Sequence, residues 1–174
     1  MADDDKHTGL QGAADRAQDM MGGMMGRASA AMAGDNTGVF IENATIGDLY
    51  EREAARIALE RSGTDMVRHM AMMMLDDHYT STHQLQSTLR SIPDAPHPPD
   101  GLDTRRNQMV EHLRTATDED FDSRYLEQQE MAHKETLTLF TNYADSGADP
   151  RLRLFAQATV PALRRHLAAV QAMR

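Results

Sequence analysis

Residues 65–91, DMVRHMAMMMLDDHYTSTHQLQSTLRS, decide the fold. Val67, Met70, Met74, His78, Leu85 and Leu89 recur at steps of three, four and seven, the spacing that gathers side chains on one face of a helix. Pro93, Pro96, Pro98 and Pro99 then forbid continuation, because proline lacks an amide hydrogen and its ring clashes with the preceding turn. A helix with one apolar stripe needs partners, and the chain supplies them on both sides. Upstream, Leu49, Ala54, Ala55, Ile57 and Ala58 mark a helix from Thr45 to about Arg61, ended by the Ser62-Gly63-Thr64 turn. Downstream, a short helix from Leu102 to about Arg114 precedes Thr117-Asp118-Glu119-Asp120, whose carboxylates suit the free amides at the start of the next helix. That helix carries Leu126, His133, Leu137 and Phe140 on one stripe to about Tyr143, with Gly147 beyond it. The last begins at Asp149-Pro150, a capping residue followed by the position where proline is favoured, and turns Leu152, Phe155, Leu163, His166 and Val170 inward. No segment alternates as a strand. The pattern predicts an all-α antiparallel four-helix bundle over residues 39–174, with a short extra helix in a crossover that passes the bundle end.

Residues 1–38 differ in kind. The acidic start, the MMGGMMGRASAAMAG segment and the Asp35-Asn36-Thr37-Gly38 turn are rich in glycine and poor in large apolar groups, which predicts a mobile arm with one short helix from Leu10 to Met25. Met20, Met21, Met24 and Met25 fit an adaptable packing surface better than a thioether site for Cu(I).

Charge narrows the function. Lys+Arg 18 against Asp+Glu 27 gives a net charge of -9 with no basic stripe, which argues against nucleic acid and anionic lipid. No run approaches the apolar length of a membrane span, and Met1-Ala2-Asp3-Asp4-Asp5-Lys6 places acid where a signal peptide needs positive charge, so a soluble chain without membrane insertion is expected. With no cysteine, a metal must be held by His, Asp, Glu or Met.

The polar residues on apolar stripes carry the chemistry. Glu51 shares a small-residue face with Ala54, Ala55 and Ala58, and His78, His133 and His166 each share a face with large apolar residues. His83 faces solvent by the same test, and His97 lies in the proline loop. In a helical hairpin, residues equidistant from the turn lie level. The midpoint between Glu51 and His78 falls in the Gly63-Thr64 turn, and that between His133 and His166 in the Ala148-Asp149-Pro150 turn. Four polar groups from four helices therefore converge in an apolar interior, where an unpaired polar group costs on the order of 1–3 kcal/mol. Two solutions satisfy them. A divalent ion could take three imidazoles and the Glu51 carboxylate, a set suited first to Zn(II) and acceptable to Fe(II), Mn(II) or Cu(II). Glu130 adds a Glu-x-x-His step to His133, and Asp77 could orient a ligating imidazole or belong to a solvated patch with Asp76. Alternatively, Glu51 and the histidines form a metal-free hydrogen-bond network that fixes helix register.

The stretches MVRHMAMMMLDDHYTSTHQL, DEDFDSRYLEQQEMAHKETLTLF and ADPRLRLFAQATVPALRRHL resemble a bacterial family, domain of unknown function 4142, over about Ala44 to Ala172. The resemblance rests on Asp76-Asp77-His78, Phe121-Asp122 with Tyr125, Ala132-His133, and Val160-Pro161 followed by His166. It implies a ferritin-like four-helix fold and an exported, periplasmic location once a leader is removed. Dinuclear ferritin-like oxidases carry a Glu-x-x-His on each of two helices, whereas here Leu75 precedes His78 and Leu163 precedes His166 at that step. Three readings follow: a bundle holding one transition-metal ion, in metal homeostasis or stress; a metal-free interaction module whose methionine-rich arm docks to a partner, homo-oligomers included; and a metal-dependent oxidase.

Overall fold

The computed structural model describes residues 2–174, with side chains described beyond Thr8. Among the described residues it is all helix: α1 Ala2–Met32, α2 Thr37–Arg61, α3 Asp65–Arg90, α4 Thr104–Thr115, α5 Asp118–Ser146 and α6 Pro150–Ala172. None of these helices is long and apolar enough to cross a membrane. The helix starts obey local chemistry. Asn36, Asp103, Thr117 and Asp149 each accept, through the side chain, a backbone N–H of the first turn. α2 therefore starts eight residues before the expected Thr45; the polar run read as a turn is its cap, and Phe40, Ile41 and Ala44 behind it are buried.

α2 with α3 and α5 with α6 form two helical hairpins, packed so that α2 lies against α5 and α3 against α6. Contacts between Thr37 and Tyr143 near one end, Tyr50 and Gln128 midway, and Thr64 and Asp122 near the other show that α2 and α5 run antiparallel. Arg151 with Ser91 and His166 with Asp77 show the same for α3 and α6. The two hairpins are thus joined by one long crossover, the ferritin-like connection. This crossover does not merely pass the bundle end. It travels the bundle's length, with α4 packed on α2 and α5 and the Arg61 guanidinium donating to the carbonyls of Leu113 and Ala116 at its close.

The interior consists of two apolar clusters. Tyr50, Met70, Met74, Leu113, Phe121 and Tyr125 belong to one. The other is built round Phe40, Leu85, Phe140, Tyr143, Leu152 and Phe155, whose rings stack and meet edge to face. Between the clusters lies a polar layer.

Residues expected to hold one short helix instead form all of α1, which lies along α5 and touches α4. Four of its five glycines, Gly12, Gly22, Gly23 and Gly26, read in sequence as helix-weakening, sit where neighbouring side chains approach. A Cβ on Gly26 would fall 2.3 Å from Glu135 Oε2, and one on Gly22 would fall 3.0 Å from the Arg105 side chain. The helix is long because tertiary contacts offset the backbone entropy that glycine costs.

Candidate metal centre

Three of the four bundle helices bring one histidine each to the polar layer: α3 supplies His78, α5 His133 and α6 His166, all buried. Their rings meet pairwise, with centroids 5.8, 5.7 and 5.3 Å apart. One ligand atom from each lies within 4.8 Å of one from each of the others.

The outer nitrogens decide the inner ones. His133 Nδ1 lies 2.9 Å from the Gln129 carbonyl oxygen, which can only accept, so Nδ1 carries the hydrogen. His166 Nε2 lies 2.7 Å from Asp77 Oδ2, and His78 Nδ1 lies 2.7 Å from Asp48 Oδ1; both donate to carboxylate. In the neutral rings the remaining nitrogens, His133 Nε2, His166 Nδ1 and His78 Nε2, are therefore bare lone pairs. The first two face each other at 3.3 Å, and the third is buried without a partner. Facing lone pairs repel unless a cation lies between them. The 3.3 Å separation also matches the edge of about 3.3 Å expected between imidazole ligands on a tetrahedral ion with Zn–N of about 2.0–2.1 Å.

Burial, with the charge of His78, pushes His133 down to about 3; burial and the neighbouring His133 push His166 down to about 4, despite its bond to Asp77. Both rings are neutral near pH 7. For His78 burial acts downward, but the hydrogen bond and charge of Asp48 outweigh it and the ring is raised. Glu51 is raised by burial, an effect partly offset by the charge of His78 and by Gln129.

α2 contributes Glu51 and Asp48. Glu51 Oε2 accepts from Gln129 Nε2 at 2.7 Å, and its Oε1 lies 3.5 Å from His133 Nδ1, behind that ring and away from the inner nitrogens. Glu51 thus enters the polar layer without joining the three nitrogens. Glu130 leaves the layer altogether. Three residues before His133 it is turned by about 60° round the helix, and it binds Lys134, Gln171 and Arg174 on the outer face. Asp77 reaches across to His166 rather than joining a solvated patch. Two members went unread in the sequence, Asp48 and Gln129. The midpoint between Asp48 and His78 falls on Gly63, so the levelling test applied to Glu51 also admits Asp48. Gln129, one turn before His133, carries the carbonyl that fixes the His133 tautomer.

The sequence model of the family described as "Domain of unknown function (DUF4142)" matches residues 23–173. No curated protein and no solved structure matches the chain. The match spans α2 to α6 and every residue of the polar layer, and the chain belongs to the DUF4142 family.

Proposed function

We propose that this protein binds a single divalent transition-metal ion in the bundle interior through His78 Nε2, His133 Nε2 and His166 Nδ1. The observation that carries the reading is the pairing of three inward lone pairs with three outward acceptors, Asp48, the Gln129 carbonyl and Asp77. Such partners fix the tautomer of a ligating imidazole and raise its basicity. Three neutral nitrogens suit Zn(II) first and also accommodate Fe(II), Mn(II) and Cu(II). Glu51 lies in the same buried layer on the far side of the His133 ring, so the three imidazoles carry the site and a fourth position is left to a small exogenous ligand. Ligands drawn from separate helices tie the two hairpins together, which fits sequestration or a structural role better than turnover. A dinuclear oxidase would need a second carboxylate at the trio, and Glu130 points outward.

The metal-free reading has one observation in its favour: Gln129 already satisfies one oxygen of Glu51. It leaves His78 Nε2 buried and unpaired and gives the His133 to His166 contact no proton. Cobalt discriminates between the two. Co(II) added to chelator-treated protein is expected to give the visible bands of a low-coordinate, nitrogen-ligated ion, lost in a folded His133→Ala variant. An unchanged spectrum in that variant would reject the site.

A further inference from the structure

α1 is docked with its polar side inward. Asp15 pairs with Arg124, Asp19 with His112 and Gln128, and Arg16 with Asp120 and Glu127, while among its described side chains the only buried apolar one is Ala30. Its apolar side chains face outward: Leu10, Met21 and Met24 are 72%, 62% and 55% exposed. Ala14 and Ala17 between them, and Ala28 one turn beyond Met24, are exposed as well.

These six residues are spaced four, three, four, three and four, a heptad seam in which every core position is apolar. The docked residues, Asp15, Arg16, Asp19, Gly22, Gly23 and Gly26, occupy the opposite heptad positions. Beside the seam the exposed face carries a single charge, Arg27, so the face is free of like-charge repulsion in a chain of net charge -9.

We propose that α1 pairs with α1 of a second copy of this chain in an antiparallel coiled coil. The alternation of small and large residues selects that arrangement. Antiparallel pairing centred on Asp19 sets Ala14 against the partner's Met24, Ala17 against the partner's Met21, and Ala28 against the partner's Leu10. The two-fold axis repeats each pair, so all six layers join a small residue to a large one. Parallel pairing would set alanine on alanine and methionine on methionine, leaving gaps in some layers and crowding in others. The seam, about 28 Å long and about 10 Å wide, is small beside a standard interface of roughly 800 Å² per partner, so the dimer forms with rising concentration rather than obligately.

Sedimentation of the full chain across the micromolar to millimolar range tests the proposal. The mass is expected to rise from 19.4 kDa toward twice that value. Met21→Glu with Met24→Glu, both on the exposed face, is expected to leave a folded monomer by circular dichroism. Ala17→Met, which places methionine against methionine, weakens the dimer about tenfold or more, and adding Met21→Ala restores it. The chain has no cysteine, so Gln11→Cys and Met25→Cys chains, at flanking positions that face each other only in the antiparallel pair, should form the mixed disulfide in preference to either homodimer. A chain that stays monomeric, whether or not it binds lipid vesicles, would overturn the proposal, as would a dimer indifferent to the double glutamate. Failure of the Ala17/Met21 exchange to rescue would overturn the antiparallel register.

Discussion

The bundle and α1 are built on opposite plans. In α2, α3, α5 and α6 the apolar stripes face one another, and the exception is one polar layer between two apolar clusters. In α1 the polar groups face the protein and the apolar ones face away. The difference teaches where each kind of interaction does its work. Burial of apolar area holds the bundle together and gives it its stability, whereas ion pairs, hydrogen bonds and glycine contacts position α1 with little of that drive. A buried polar layer is accordingly costly to retain without a ligand, and an exposed apolar seam invites a partner.

The largest effect that separates the two regions is a truncation in each. Leu152→Ala, at a fully buried site, is expected to cost about 2–5 kcal/mol by denaturant unfolding. Met21→Ala on α1 is expected to stay within about 0.5 kcal/mol, measured on dilute monomer. Comparable losses at the two sites would break the comparison.

Within the polar layer, Asp48→Asn leaves a neutral acceptor or donor at His78 Nδ1. Metal affinity should fall by about 10-fold to 100-fold in a competition titration, and unchanged affinity would remove Asp48 from the account.

The pH dependence sharpens the same point. With His133 at about 3 and His166 at about 4, neither ring carries a proton for a metal to displace at pH 6 to 8. His78, which Asp48 raises against the effect of burial, gains its second proton at higher pH than either, and protonated His78 cannot ligate. Affinity should therefore weaken as pH falls through the raised value, and any proton released on binding, read by calorimetry at differing buffer enthalpies, should come from His78 alone and number no more than one per ion. A release of three protons would show that the rings are not held neutral.

The smallest effect belongs to α1. Gly26→Ala brings a methyl group onto the Glu135 carboxylate that Arg105 and Arg106 share. It should loosen α1, seen as faster amide exchange there, with global stability changed by about 1 kcal/mol or less. Slower exchange would mean that helix propensity outweighs the contact.

The bundle was legible because α3, α5 and α6 announce both stripe and ends, as Val67 to Leu89 does between Gly63 and Pro93, and α2 announces its stripe and its close at Ser62-Gly63. The histidine trio was legible because level could be computed from the turns. Asp48, one helical turn before Glu51, passes the same test. Glu130 shows the limit of a spacing motif: a step of three fixes neighbourhood on a helix, but not which side of the ring faces the core. Asn36 marks a second limit, since the same residue type ends a turn and caps a helix. α1 was illegible for a deeper reason. Glycine weakens an isolated helix, and only the surface it meets, Arg124 at Gly12 and Glu135 at Gly26, reveals that its bareness is the fit.

The central claim is most directly tested by metal content. Untagged protein purified without chelator is analysed for metals, and its melting is followed before and after dialysis against EDTA. About one transition-metal ion per chain and a lower melting temperature after chelation are predicted. A folded protein without metal, and indifferent to EDTA and to added Zn(II), would contradict it.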